Sequence, residues 1–592
     1  MSGDIVDSAG RVDPNAYVAM AAKMSADEGI AYRYGSAGST PAGTPTWHKR
    51  NDTQLQTAEG GWWQVGGPDA GVGNYGDYFS NFANALHVAD DPNNRVGVSD
   101  FLSIAQSYNT FTQLPQPAPA WMRRAALGAT DWIGLDDYNG STVNARRPVA
   151  GARCYGRPGW CLESVVAYQN GLLSTAQGSN TALNRSSTQL AANKVPTGIA
   201  VTNSNEFALV TVWDTAALKG QIAVVALAGL ANGATPSNPN IGDQGWGEWG
   251  AVHPGLANLG NTGYMKVLGY IDLPDSMRAP TEITVTTGWN PWNGMGQQRP
   301  TAYKTPLDTE SNRQQFMAGG AYNSAYAKGG MAIVVSKSEK RAAFIDLKPL
   351  FAYFNGKYFG ARGDFDSTKD LNTWPNMPDA AKPTVVKTLD LGARPTAVKA
   401  TLWGSNLRGW VATEDGNMRL FDLGGYGNGS GTGSLNQVGS VAVGPNPTSI
   451  SYYRGSTNDM DNDINNYAMV LARGDKTVRW VDFSSDHNSA VVRPTMLRDT
   501  RLADPIMIED NENHGTEAWV LSIADYAGKA VHNYRYGSVI FWTNQGGGKA
   551  CQPPAGCGLG PNNQPASQYP FEYGGAIKLP GKPFVVTSSN VP

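Results

Sequence analysis

The sequence predicts an all-β chain built from a repeated four-stranded antiparallel sheet, and three observations predict it. The first is composition. The chain has 70 glycines and 36 prolines but only 16% charged residues, with 17 tryptophans and 25 tyrosines, the mixture expected of many short strands joined by turns. The second is a recurring turn and strand. "RGDKTVRWVDF" (473–483) places a polar turn before an alternating apolar run, and "PNNRVGVSDF", "LKGQIAVVAL", "SEKRAAFIDL" and "EDGNMRLFDL" repeat it, ending at Phe101, Leu227, Leu347 and Leu423. Four of the five close on Asp and a large apolar residue. The third is a strand opened by proline: "VPTGIAV" from Val195, "APTEITV" from Ala279, "RPTAVKA" from Arg394, "NPTSISY" from Asn446, "DPIMIED" from Asp504 and "KPFVVTS" from Lys582.

Proline is tolerated at a first strand position because its missing N–H falls outside the ladder. Before each proline lies another short strand: "STQLAAN", "VLGYIDL", "VVKTLDL", "VGSVAV", "TMLRDT" and "GAIKLP". The unit is therefore strand a, loop, strand b, turn, strand c, loop, strand d, turn. Repeats of ~40–50 residues built this way indicate a β-propeller, because one blade cannot bury both its faces and a ring of blades can. Strand a falls near Pro196, Pro280, Pro395, Pro447 and Pro505. A weaker blade is placed from Pro117 in "QPAPAWMRRAAL", through "TDWIGLD", to "ESVVAYQNG".

The last strand a, "KPFVVTS", has nothing after it, while "NALHVAD" and "RVGVSDF" have no strand a before them. These read as one blade split between the chain ends, with strand 583–588 pairing strand 84–89 and hiding a free edge. The expected count is seven blades, or six if the cysteine-bearing stretch is only an insertion. Residues 81–592 are assigned to the propeller. Residues 1–80 do not join the repeat and read as an N-terminal arm. A short helix is expected in "DPNAYVAMAAKMSADEGIAY", with Asp13 as N-cap and Pro14 at the first helical position.

These repeats resemble the YVTN-type family of bacterial propellers. The similarity is strongest in "VPTGIAVTNSNEFALVTVWDTAALKGQIAVVAL" (195–227), extends with falling fidelity over residues 84–592, and departs in the long insertions. The resemblance implies a propeller and says little about activity, because propellers host unrelated functions.

A net charge of −3 gives no global field to attract nucleic acid or an anionic membrane. No run of about 18 apolar residues is present, so no membrane-spanning helix is expected. The four cysteines form two local pairs, Cys154/Cys161 in "CYGRPGWC" and Cys551/Cys557 in "CQPPAGC", with no histidine close enough for a zinc pattern. Small disulfide-closed loops fit this spacing and point to a secreted, cell-surface or periplasmic setting. "MSGDIVDSAGRVDP" lacks the apolar core of a signal peptide, which fits a mature form whose leader has been removed.

Because blade strands alternate in direction, d-to-a and b-to-c turns share one face and are short. The a-to-b and c-to-d loops share the other face and carry the insertions 228–262, 287–330, 348–383, 453–466 and 543–572. Long loops on a rigid ring are where function concentrates. On that face "NDMDNDINNY" sets Asp459, Asp461 and Asp463 at every second position, followed by Asn465 and Asn466. Hard oxygen donors so close suit Ca²⁺; a solvated acidic loop is the plainer alternative. The pattern is not an EF-hand, since Ile464 and Val470 stand where glycine and glutamate are required. Trp246 and Trp249, beside Glu248 and His253, and Trp289 and Trp292 could stack on a carbohydrate or a protein partner, or pin long loops to the ring.

Catalytic signals are thin. The six histidines show no ligand spacing, and no GxSxG, P-loop or CxxCH occurs. "IEDNENHGTE" groups Glu509, Asp510, Glu512 and His514, either as an acid/base or metal site or as a charged a-to-b turn. On the short-turn face Lys194, Arg278, Arg394 and Lys582 should make the channel mouth mildly cationic and suited to small anions, unless Asp214, Glu414 and Asp475 neutralise it. The leading expectation is a binding or surface-assembly module, calcium-stiffened and capable of oligomeric assembly. The alternative is an enzyme. It would be either a hydrolase or the propeller subunit of a periplasmic oxidoreductase, similar to an amine dehydrogenase heavy subunit and needing a second chain.

Overall fold

The structure is a computed structural model of the 592-residue chain. It describes residues 86–90, 101–104, 148–153, 163–177, 187–203, 205–229, 262–289, 305, 307, 309–368, 373–452, 466–513, 518–536, 572–578 and 582–588. The N-terminal arm, all four cysteines and the acidic run 459–465 lie outside these residues.

Short β-rich segments separated by turns pair with their sequence neighbours into antiparallel sheets. Strands β1 (Leu86–Asp90) and β2 (Phe101–Ile104) open the chain. The first four-stranded sheet is β3 (Pro148–Arg153), β4 (Glu163–Tyr168), β5 (Leu172–Gln177) and β6 (Ser187–Gln189); the second is β7 (Lys194–Val201), β8 (Phe207–Asp214), β9 (Lys219–Gly229) and β10 (Thr262–Asp272). The third is β11 (Glu282–Thr286), β12 (Met331–Ser336), β13 (Arg341–Asp346) and β14 (Thr384–Asp390). The fourth is β15 (Pro395–Ala400), β16 (Arg408–Thr413), β17 (Asn417–Asp422) and β18 (Gln437–Ala442). The fifth is β19 (Pro447–Tyr452), β20 (Tyr467–Ala472), β21 (Thr477–Phe483) and β22 (Ala490–Arg498). The sixth is β23 (Pro505–Asn513), β24 (Ala518–Asp525), β25 (Ala530–Tyr536) and β26 (Glu572–Lys578), after which β27 (Pro583–Ser588) returns to pair with β1.

The closing pair runs antiparallel from Leu86 opposite Ser588 to Asp90 opposite Pro583, the pairing anticipated between strands 583–588 and 84–89. The innermost strands β3, β7, β11, β15, β19, β23 and β27 each lie against the next, and β27 returns to β3. Two expectations are corrected. Six complete four-stranded blades are present among the described residues, not seven; the sheet at the closure, β27–β1–β2, has three strands, and residues 105–147 lie outside the described set. The first complete blade opens at Pro148, not Pro117, so its inner strand is "PVAGAR".

In the third and fourth blades burial peaks in the second strand and falls toward the outer edge. Strands β12 and β16 are buried at every residue, whereas the outer strands β14 and β18 are largely exposed or half-buried. Each wholly buried Val, Leu or Phe contributes about 1.5–3 kcal/mol, so the middle strands carry most of the packing. Trp410 and Trp480 are among the largest fully buried side chains. The Asp and apolar residue that end strand c close the next corner. Asp346 accepts the N–H of Lys348 at 2.9 Å and Asp422 that of Gly424 at 3.2 Å. The N–H groups of Leu347, Leu423 and Phe483 return to carbonyls of Gly330, Leu407 and Asn466.

On the long-loop face, insertions of the third blade fold into α1 (Glu310–Gln314), α2 (Lys348–Phe359) and α3 (Arg362–Ser367). Phe316 stacks on Phe359 at 4.8 Å, and Phe207 of β8 meets Phe351 at 5.3 Å. The buried Arg313 guanidinium donates to the carbonyls of Gly360 (2.7 Å) and Leu307 (2.8 Å), tying the insertion together. Among the described residues no helix is long and apolar enough to cross a membrane.

Candidate functional site in the central channel

The strand-opening proline does more than start a strand. In β3, β7, β15, β19, β23 and β27 the pairing register shifts between the proline and the second residue after it. In the third blade both Thr281 and Glu282 meet Val335. Every inner strand thus carries a bulge just after its proline, which re-aims the intervening side chain. The bulged positions are Val149, Thr197, Thr281, Thr396, Thr448, Ile506 and Phe584. All of them line a central cavity of about 550 Å³ that touches all seven inner strands.

This lining is two-sided. Strands β11, β15 and β19, with the residue just before β11, contribute the polar Thr281, Glu282, Thr396, Lys399, Thr448 and Ser449 beside the apolar Ile283, Val398 and Ile450, with Lys337, Arg394, Glu414, Asn446 and Arg473 from adjoining turns. Strands β23, β27 and β3 contribute Ile506, Met507, Phe584, Val585, Val149 and Ala150. In the ring order, β27 stands across the channel from β15.

The threonines differ among themselves. Thr197 and Thr281 donate their hydroxyls to the strand-b carbonyls of Thr211 (3.2 Å) and Val335 (3.1 Å). The hydroxyls of Thr396 and Thr448 have no hydrogen-bond partner among the described residues, and Thr396 is only 9% exposed. One position further along, the seven strands carry Ala150, Gly198, Glu282, Ala397, Ser449, Met507 and Val585, so Glu282 is the one ionisable side chain in that layer. Its Oε1 accepts the Val398 N–H at a long 3.3 Å. Burial pushes its carboxyl above the usual range, opposed by the Lys337 charge, the Val398 N–H and the Lys399 charge. The side chain is half-buried and lines the cavity.

The cations are held unequally. Arg473 donates Nε and Nη2 to Asp504, each at 2.7 Å. Arg394 stands 3.7 Å from Glu414, and Lys399 Nζ lies 5.6 Å from the Tyr452 ring. Lys337 is exposed and makes no ion pair among the described residues. Lys194, expected at the mouth, is instead tied to Asp214 and Gln221. That hydrogen bond, helped by the Ala217 N–H, lowers Asp214 to about 2. Lys582 lies 5.1 Å from the Tyr526 ring. Neutralisation therefore wins at Lys194, while Lys337, in a b-to-c turn, and Lys399, in an inner strand, are cations of the cavity lining.

Other anticipated residues fall elsewhere. Trp289 is half-buried against the core, and its Nε1–H donates to Ser324 O at 3.2 Å, the pinning arrangement. Trp246, Trp249 and Trp292 lie outside the described residues, as do Asp459, Asp461, Asp463 and Asn465 and the cysteines Cys154, Cys161, Cys551 and Cys557. Glu509 and Asp510 do not form a turn: both are buried within β23. The Asp510 carboxylate accepts from Ser451 Oγ at 3.0 Å, across to the fifth blade. The signal for Glu282 was present in "APTEITV", where one charged residue breaks a column of small or apolar ones once the repeats are aligned by their prolines.

Fold and site together define a β-propeller with a two-sided central channel. No protein-family model and no curated protein sequence matches the chain. Solved structures similar to it include the periplasmic gluconolactonase PpgL of Pseudomonas aeruginosa, with 10% identity, 75% of this chain and 89% of that chain covered, and a TM-score of 0.37. A putative 6-phosphogluconolactonase of Bacteroides fragilis shows 10% identity, coverage of 76% and 88%, and a TM-score of 0.35. The β-propeller domain of Cps50 (Swd1) from Myceliophteria thermophila shows 9%, 68% and 86%, and 0.32.

Proposed function

We propose that the protein is a binding propeller whose ligand occupies the central channel, and that it works in a secreted, cell-surface or periplasmic setting. The observation that carries the reading is the cavity of about 550 Å³ in which structurally equivalent positions stop repeating. Its size falls within the range of small-molecule pockets. Among the described residues the Ser449 hydroxyl, the lining's serine, is engaged by the Ile508 carbonyl at 3.2 Å, which favours binding over acyl transfer. The two close cysteine pairs support an oxidising compartment. Asp459, Asp461, Asp463 and Asn465 are proposed to hold Ca²⁺ and stiffen the a-to-b loop of the fifth blade. The long-loop face, with Trp246, Trp249 and Trp292, is left for a protein or carbohydrate partner.

A thermal-shift screen of small molecules tests the channel reading. Compounds that raise the unfolding midpoint of the parent should fail to do so in Ile506→Trp, which fills the channel. If every hit stabilises both proteins alike, the channel is not the site. Chelation should lower the midpoint of the parent and leave Asp461→Ala unmoved; an identical response in both removes calcium. Recovery of free thiols in non-reducing peptide maps would remove the disulfides.

A further inference from the structure

We infer that the channel ligand is a small amphipathic monoanion, a carboxylate on a short apolar body, with its head on the β11–β15–β19 arc. The inference rests on the channel reading above and narrows it to one ligand chemistry. A hydroxyl buried without a partner is costly, and the bulge that buries Thr396 also offers a solution its counterparts use. Thr197 and Thr281 turn their hydroxyls onto strand-b carbonyls; Thr396 and Thr448 do not, and both line the cavity. Two unspent donors beside Lys337 and Lys399 form an anion-binding set, since charge-assisted hydrogen bonds from such groups are the strong ones.

The far wall sets the remainder of the molecule. Ile506, Met507, Phe584 and Val585 present no polar side chain, so a ligand polar all round would leave groups unpaired there. A short alkyl or aryl body satisfies that wall. Glu282 limits the charge: it shares this arc and already offsets one of the two lysine charges of Lys337 and Lys399, so one added carboxylate is balanced and a second is not.

Calorimetric titration with hexanoate, hexanamide and adipate tests this on the full chain. Hexanoate should bind about tenfold more tightly than either hexanamide or adipate. Thr396→Val and Lys337→Gln should each weaken hexanoate severalfold and leave hexanamide unchanged, while Ile506→Asn should weaken both. Cooperative thermal unfolding checks that each variant is folded. Equal binding of hexanamide or adipate, or no hexanoate binding at all, overturns the inference. The channel reading falls separately, only if Ile506→Trp leaves the binding of every screened ligand intact.

Discussion

The two arcs of the channel are built from the same repeat, yet one is apolar and the other holds charge. In β23, β27 and β3 the residue after the proline is Ile506, Phe584 or Val149; in β11, β15 and β19 it is threonine. The bulge is common to both, so backbone geometry does not explain the difference. A repeat fold asks only for packing at equivalent positions. Places where one arc accepts a buried hydroxyl or carboxylate at a cost are therefore the places where something other than packing is being served. The apolar arc shows what the ring needs to close, and the polar arc is where the proposed ligand head would sit.

The largest test removes part of the apolar arc. Ending the chain at Pro580 deletes β27, which supplies Phe584 and Val585 and pairs all along β1. The ring then has an exposed edge, and loss of a cooperative transition or aggregation is expected. A truncation that unfolds as sharply as the parent would show that closure lies elsewhere. A smaller change acts at the same seam. A Cβ at Gly151 would come 2.6 Å from Thr587 Cγ2, so β27 seats against β3 because that position has no side chain. Gly151→Val should destabilise by about 1–3 kcal/mol, read from denaturant midpoints, and an unchanged midpoint would mean the seam has slack.

The threonines give the sharpest contrast for the smallest effect. Thr281→Val removes a hydroxyl bonded to the Val335 carbonyl at 3.1 Å and should cost about 1 kcal/mol. Thr396→Val removes a hydroxyl that has no partner among the described residues and should be neutral or stabilising. Equal losses at both sites would mean that Thr396 is spent on structure after all.

Much of the architecture was legible because its signals are local. A proline can open a strand only at an unbonded position, and an Asp closing strand c can be counted along the chain. The long-loop face followed from strand alternation alone. What stayed hidden depends on pairing between strands. The bulges appear only when Pro395 and Ala397 are seen against Thr413 and Ala412. Pro117 outcompeted Pro148 because "QPAP" looks like a strand opening, while "PVAGAR" is weakened by its small residues. Glu509 and Asp510 read as a charged a-to-b turn or an acid/base or metal site, since nothing in the linear pattern reveals Ser451 on a neighbouring blade as the partner of Asp510. The oddity of Glu282 in "APTEITV" is visible only against the six equivalent strands.

The central claim is that the polar arc is maintained at the expense of stability, and the unfolding free energy of Glu282→Gln as a function of pH tests it most directly. Burial raises the Glu282 carboxyl above its ordinary 4.5. The folded state therefore favours the protonated form, and the parent loses stability as pH rises through 4.5 to the folded value, remaining lower above it. Glutamine keeps the acceptor for the Val398 N–H and never ionises. The account predicts equal stability of the two proteins below pH 4.5 and a more stable variant at pH 7. A variant less stable than the parent at pH 7 would contradict it, and would make Glu282 a structural counter-ion for Lys337 and Lys399.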